Sequence, residues 1–508
     1  MNLPPRQLAC RALLCLLFAG SLPGLAEAAP PVVPGATTRA ALAARIDAHI
    51  AQPRFAAASW GVAVVSLDSG RTLYAHRADR LLVPASTAKL FTAGLSLSVL
   101  GADYRMPTRL LANGHMPNGR LDGPLVLYGM GDPTLGTRTS TDWAEQLASQ
   151  ASAHGLRFVD GDLIADDSYF TGPTHGSGWE AGDLQSWFAA PSSALSVQEN
   201  TVGITLTPAS TVGQPARLAF TPAGSAPVLA GQLLTSPPHS PDDINLYRAP
   251  GSDTLQVFGN IAIGTPARHY RLAVTDPARL AGEQLMRALK NRGIHVTGQV
   301  RVIHWPQGSA GAWPDARRLG EVLSPPLQDI LEDGLKRSQN LYLQNLLRAV
   351  GARQLPVSDG FSSSETRGIK AMQQWLQQIG IPPSASLISE GAGLSRRNLV
   401  TPNALAALLV HMATQPYAEK FRDALPVAGV DGTLAGHMRH TAAENNVHAK
   451  TGSMAHTHCL AGYVTSAAGE RLAFAIMLNN YEPPHDAPRA SRELDAIAVM
   501  LADYRGQD

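Results

Sequence analysis

The sequence predicts an α+β fold in which helices cover an antiparallel sheet and a β-rich block interrupts the chain between the two parts of that sheet. Three observations predict it. Short runs at the front, Ser59 to Ser66 and Thr72 to Ala75, read as a strand pair, while His448 to Gly452, Leu460 to Thr465 and Leu472 to Leu478 read as a triplet at the back. Long apolar helical patterns follow the front pair and precede the back triplet. Between about Tyr104 and Trp313 the pattern changes to short strand-like runs broken by Gly, Pro and Asp. One sheet assembled from both ends of the chain, with helices on both faces, accounts for all three.

The elements follow in order. Arg6 and Arg11 precede the apolar run Ala12 to Gly20, and Ala26-Glu27-Ala28 supplies a small-x-small cleavage site, so residues 1–28 read as a secretory signal peptide. The run is too short to span a bilayer as a helix. A soluble, periplasmic mature protein beginning near Ala29, with no transmembrane anchor, is expected. Cys10 and Cys15 fall in the leader, which leaves Cys459 alone and no internal disulfide. After the Pro-rich stretch Pro30 to Pro34 come a helix from Thr38 to Ile50 and the front hairpin, turning through Leu67-Asp68-Ser69-Gly70-Arg71. The segment Ser86 to Leu100 is apolar on nearly every side and belongs in a core.

In the middle block, Leu125 to Tyr128, Leu156 to Ala165, Val202 to Thr207 and Leu255 to Ile263 read as strands, with helices near Trp143 to Ala153 and Pro277 to Asn291. The second helix is punctuated by Asp276 as cap, Pro277 at its first position and Gly293 beyond its end. Ser324-Pro325 and Thr401-Pro402 repeat this cap-then-proline grammar, and a terminal helix runs from Pro488 to Tyr504. The partition expected is residues 36–103 with 314–508 as one domain, and 104–313 as an insertion with a nested subdomain around 168–265.

Charge narrows the function. Lys and Arg number 41 against 40 Asp and Glu, a formal net charge of +1, whereas a nucleic-acid partner would want a basic excess. Within that balance lysine is scarce: only Lys89, Lys290, Lys336, Lys370, Lys420 and Lys450 are present. Arginine stays protonated, but a buried lysine can lose its proton and act as a base. Lys89 closes Ser86-Thr87-Ala88-Lys89 and Lys450 opens Lys450-Thr451-Gly452-Ser453; the other four read as surface charges.

Serine needs a base to become a nucleophile. Positions i and i+3 on a helix share a face, which puts the Lys89 amine beside the Ser86 hydroxyl at a helix start that favours developing negative charge. Ser338-Gln339-Asn340 offers a hydroxyl near a carboxamide, a proton relay beside a group able to hold an amide. Lys450, Thr451, Gly452 and Ser453 suit a carboxylate-ended substrate: a cation, hydroxyls, and a glycine permitting close backbone approach. The backbone amides of Ser86 and Ser453 could form an oxyanion hole. His437, His440, His448, His456 and His458 crowd the third segment beside Cys459, but no matching pair completes a tetrahedral set, so neither metal nor cofactor is expected. Gly129-Met130-Gly131 and Asp166-Asp167 read as turns.

Ser-x-x-Lys, Ser-x-Asn and Lys-Thr-Gly in this order are the triplet of penicillin-binding proteins and class A β-lactamases. With Gly129 to Leu135, Gly161 to Ser168, Ser193 to Asn200, Gly393 to Asn398 and Ala428 to Leu434, the chain resembles the low-molecular-mass class C penicillin-binding proteins, the D-alanyl-D-alanine carboxypeptidase/endopeptidase family. Gln339 and Glu390-Gly391-Ala392 depart from the usual pattern. The resemblance implies the penicillin-binding/β-lactamase-like transpeptidase fold and a serine DD-peptidase of peptidoglycan stem peptides, DD-carboxypeptidase, DD-endopeptidase or both, with β-lactams as covalent inhibitors. It implies Ser86 as the acylated nucleophile, Lys89 as its base, Ser338 as relay to the leaving amine, Asn340 as substrate clamp and Lys450 as carboxylate and charge binder. Two alternatives stand beside it: a β-lactamase, and a non-catalytic wall-binding or sensor protein.

Overall fold

The computed structural model describes residues 36–506 apart from 223–224, 310, 355–361 and 486; the signal-peptide reading and the Pro30 to Pro34 stretch lie outside the described residues. Among these residues no helix is long and apolar enough to cross a membrane. The front and back strands do join. Thr72–His76, Ser59–Ser66, Arg471–Asn479, Thr457–Thr465 and His448–Met454 lie in that order in one antiparallel sheet.

Alternation explains why this sheet is covered twice. Along Arg471–Asn479, Ala473, Ala475 and Met477 pack into one apolar cluster, while Leu472, Phe474, Ile476 and Leu478 pack into another. Successive side chains point to opposite faces, so both faces of this strand are dry. On the first face lie the helices Lys89–Leu100, Leu327–Lys336, Asn340–Gln354, Ser364–Gln378 and Pro402–Met412. The helices Arg39–Ile50 and Ala490–Ala502 cover the second. Lys89 to Leu97 are all buried, as the all-round apolar pattern requires.

The strands from Arg120–Asp122 to Val300–Ile303, with Pro107–Ala112 and Arg317–Leu323, pair only among themselves, in four further sheets. Arg317–Leu323 pairs antiparallel with Pro107–Ala112, so the five-stranded sheet of this block closes where the chain leaves for the helical layer. Trp143–Ala153 and Pro277–Asn291 pack on it through Trp143, Leu147, Leu285 and Leu289.

Two local expectations fare differently. Asp276 and Thr401 cap their helices, accepting from the backbone N–H of Arg279 and Ala404. Ser324 does not cap. Its helix begins at Leu327, because Pro325 is followed by Pro326, and a residue before proline is held extended. The Ser324 hydroxyl instead accepts from Met106 N–H at 2.9 Å, fastening the two strands through which the chain enters and leaves the β-rich block. The expected single strand Leu156 to Ala165 is broken into Phe158–Asp160 and Leu163–Asp166.

Candidate active site

Ser86 sits in a 3₁₀ turn, Ala85–Ala88, that leads into the helix Lys89–Leu100. Residues i and i+3 eclipse in a 3₁₀ turn. This brings the Lys89 Nζ within 2.8 Å of the half-buried Ser86 Oγ. Ala85 holds φ +46°. A tight, left-handed residue just before a reactive serine costs on the order of 1–3 kcal/mol unless its surroundings impose it. They do impose it here: Ala85 is fully buried, and Gly393 and Gly452 approach it from two sides. A Cβ on Gly452 would lie 2.7 Å from Pro84 O and 3.1 Å from Ser86 N. Only a glycine lets the strand His448–Met454 lie this close to the turn.

Lys89 is fully buried and also donates to Asn340 Oδ1 at 2.6 Å and to the carbonyl of Ala392. Burial lowers its pKa to about 7, against the opposing pull of the Glu390 carboxylate. An amine at this pKa is substantially neutral near pH 7 and can accept a proton. Asn340, at the start of Asn340–Gln354, donates its Nδ2 to Phe188 O at 2.7 Å and is thereby oriented.

The second cation is Lys450, also fully buried, whose Nζ donates to Ser338 Oγ at 2.9 Å and to Thr451 O at 2.8 Å. Burial pushes its pKa well down, and the charge of Lys89 adds to the effect. Ser338 has φ +57° in the short link between two helices, which aims its hydroxyl at the strand. Thr451 Oγ1 shares a 2.7 Å hydrogen bond with Thr433 Oγ1, and Ser453 is exposed with its hydroxyl 3.5 Å from His458 Nδ1. The structure therefore gathers Ser86, Lys89 and Asn340 into one hydrogen-bonded group and Ser338 and Lys450 into a second. The lysines lie near enough to repel, and Gly452 packs on the serine turn.

Several contributors escaped the sequence reading. The Ala392 carbonyl and the buried Glu390 lie in the stretch that departs from the family pattern. The Glu390 carboxylate gathers the amides of Ala392, Gly393 and Ser395, with Asn398 Nδ2 and Trp179 Nε1, and so holds the loop that carries the Ala392 carbonyl. Thr433 acts through a hydroxyl and lies inside the landmark stretch Ala428 to Leu434, and Phe188 acts through a main-chain oxygen shortly before the stretch Ser193 to Asn200. Lys336 corrects an expectation: it is half-buried, and pairs with Asp431 and Leu425 O beside Ser338 instead of standing as a surface charge.

Two of the histidines pair with carboxylates. His437 faces Asp495 at 2.9 Å and His456 faces Glu482 at 3.2 Å. Cys459 is a buried free thiol whose pKa burial pushes up. Asp166 accepts from Ser168 N–H and Trp313 Nε1, and Asp167 from Ser193 Oγ, so that run is a hydrogen-bonded turn.

Comparison with known proteins gives the family and the fold. The model of the D-Ala-D-Ala carboxypeptidase 3 (S13) family matches residues 42–504. The chain is 35% identical over 506 residues to a D-alanyl-D-alanine carboxypeptidase of an Actinomadura species, covering 97% of this chain and 89% of the relative. It is 30% identical over 427 residues to the D-alanyl-D-alanine carboxypeptidase DacB of Haemophilus influenzae, covering 83% of this chain and 85% of the relative. The crystal structure of penicillin binding protein 4 from Haemophilus influenzae superposes with a TM-score of 0.77 at 27% identity, covering 90% of this chain and 98% of that one. With a matching family model over nearly the whole described chain and a serine–lysine pair at its centre, the protein belongs to the D-Ala-D-Ala carboxypeptidase 3 (S13) family, serine peptidases of the penicillin-binding fold.

Proposed function

We propose that this protein is a serine DD-peptidase that hydrolyses D-Ala-containing peptidoglycan stem peptides through an acyl-enzyme on Ser86. The observation that carries the assignment of roles is the 2.8 Å contact between Ser86 Oγ and a buried Lys89 whose pKa lies at about 7. Lys89 takes the Ser86 proton as the hydroxyl attacks the carbonyl carbon. The backbone amides of Ser86 and Ser453, on the turn and on the strand packed against it, receive the oxyanion. Asn340 holds the substrate amide. Ser338 passes the proton to the departing nitrogen, and Lys450 with Thr451 binds the carboxylate beyond the scissile bond. Water then hydrolyses the ester.

The chain organisation fits this chemistry. Residues 36–103 and 314–508 form the peptidase domain, and 104–313 form a β-rich insertion, the strands of the two groups pairing separately except where Arg317–Leu323 returns to Pro107–Ala112. The leader sends the enzyme to the periplasm, where its substrate lies.

A fluorescent penicillin tests the reading. Wild type is labelled and the label, mapped by mass spectrometry, sits on Ser86; Ser86→Ala takes none. The label persists for many minutes and blocks the enzyme, whereas unlabelled wild type releases D-alanine from a pentapeptide. Rapid repeated drug turnover would make the protein a β-lactamase, and labelling without any peptide product would make it a sensor.

A further inference from the structure

Lys89 stands at one point of a ring of hydrogen bonds that leaves the helical layer and returns to it. In one direction its Nζ donates to Asn340 Oδ1, and Asn340 Nδ2 donates to Phe188 O. In the other it donates to Ala392 O, while the N–H of that same residue donates to Glu390 Oε2 at 2.8 Å, and Trp179 Nε1 donates to that oxygen at 3.2 Å. Trp179 and Phe188 belong to one segment of the β-rich block, which therefore closes the ring. The segment lies close against the loop: a Cβ on Gly176 would be 3.2 Å from Glu390 Cβ.

Glu390 is fully buried, and among the described residues every group hydrogen-bonded to its oxygens is a donor, which is the setting of a carboxylate. A carboxylate in this place acts on Lys89 in two ways. It fixes the peptide whose carbonyl the amine meets, and the helix of Lys89 grips the same loop, because Thr92 Oγ1 donates to Gly391 O at 2.9 Å. It also attracts the ammonium form, opposing the burial that brings the Lys89 pKa to about 7. Two further charged groups bear on the pair. Lys450 repels Lys89 from the strand His448–Met454, and Glu365, on the helix Ser364–Gln378, faces Glu390 with its own oxygens taken by Ser177 and by Gln344 Nε2.

We propose that Glu390 is a positioning residue for the base: its carboxylate, clasped by Trp179 of the β-rich block, holds the Ala392 carbonyl against Lys89 and sets the pH at which the amine takes the Ser86 proton. The use made of that proton rests on the serine-peptidase reading, whereas the link from Glu390 to Lys89 does not. The β-rich block is thereby part of the apparatus that activates the serine.

Six lysines make the test direct, since isotope-labelled lysine gives six signals and Lys89→Arg identifies that of Lys89. Titrated by NMR in the full-length protein, the Lys89 signal has its midpoint at about pH 7 in wild type. In Glu390→Gln, which keeps the size of the side chain and removes its charge, the midpoint falls by about one pH unit, tenfold in the proton equilibrium, because the ammonium form has lost its partner. The pH profile of penicillin acylation moves toward acid by the same amount. Thr92→Val loosens the same loop and leaves the charge, so the acylation rate drops while the midpoint stays. A midpoint unmoved or raised in Glu390→Gln, or lowered equally by Thr92→Val, overturns the proposal. Circular dichroism reports folding, and if Glu390→Gln does not fold, Trp179→Phe decides: with one donor gone the carboxylate pulls harder on Lys89 and the midpoint rises by about a few tenths of a unit. A midpoint that stays or falls in that variant overturns the proposal. A wild type that takes no penicillin overturns the peptidase reading, and the titration still decides the link from Glu390 to Lys89.

Discussion

At the scale of single residues, the protein turns on what burial does to two lysines. A lysine in water keeps its proton, but Lys89 is fully enclosed and its pKa is lowered to about 7. The sign of the pH dependence follows: the base form is the neutral amine, present above that pKa and lost as pH falls below it. Penicillin acylation of Ser86 should therefore rise with pH through about 7 and fall about tenfold per pH unit well below it, as stopped-flow labelling across pH 5 to 9 would show. Lys89→Arg should lower the acylation rate by about 10²–10⁴, since guanidinium does not accept the proton; acylation near the wild-type rate would remove Lys89 from the role of base. Arginine would also have to fit a pocket closed by Asn340 and the Ala392 carbonyl.

At the scale of elements, the site is three backbone segments pressed together: a 3₁₀ turn, an interhelical link and an edge strand. The strand runs at the edge of the sheet, with Gly452 opposite Cys459 and its other side turned to the serine turn. Gly452→Ala puts a Cβ 2.7 Å from Pro84 O, so the turn or the strand must move by some tenths of an ångström. A misplacement of about 1 Å between reacting groups can cost about 10²-fold, so a shift of some tenths costs about tenfold. Acylation should fall by that order while far-UV circular dichroism is unchanged, and an unaltered acylation rate would show that the strand does not position the serine. The link is equally constrained. Ser338 holds a left-handed φ while the flanking helices are pinned by Lys336 to Asp431 and by Asn340 to Phe188 O.

At the scale of the whole molecule, the catalytic sheet depends on both chain ends, because Ser59–Ser66 lies between Thr72–His76 and Arg471–Asn479. Phe474, fully buried in the middle strand, faces the two terminal helices through the second apolar cluster. Phe474→Ala should cost about 3–5 kcal/mol of stability, read as an earlier urea midpoint for the loss of penicillin labelling. A midpoint unchanged by that substitution would mean that the face is not a packed core.

The local grammar of this chain was legible in its sequence. Short apolar runs marked the sheet strands, Thr401-Pro402 and Asp276-Pro277 marked helix starts, and the i to i+3 spacing placed Lys89 by Ser86, because each depends on neighbours within a few residues. Ser324 misled, since the helix start passed to the residue after a second proline and the hydroxyl was claimed by Met106 from the far side of the β-rich block. Sequence by itself determined which residues carry reactive groups. Tertiary structure alone decided which of the six lysines would be stripped of water, and that Asn340, 251 positions from Lys89, would touch it. The contacts of the Glu390 loop are likewise made between distant segments. Desolvation and close packing are properties of an enclosure, and the walls of this enclosure come from parts of the chain that share no local pattern.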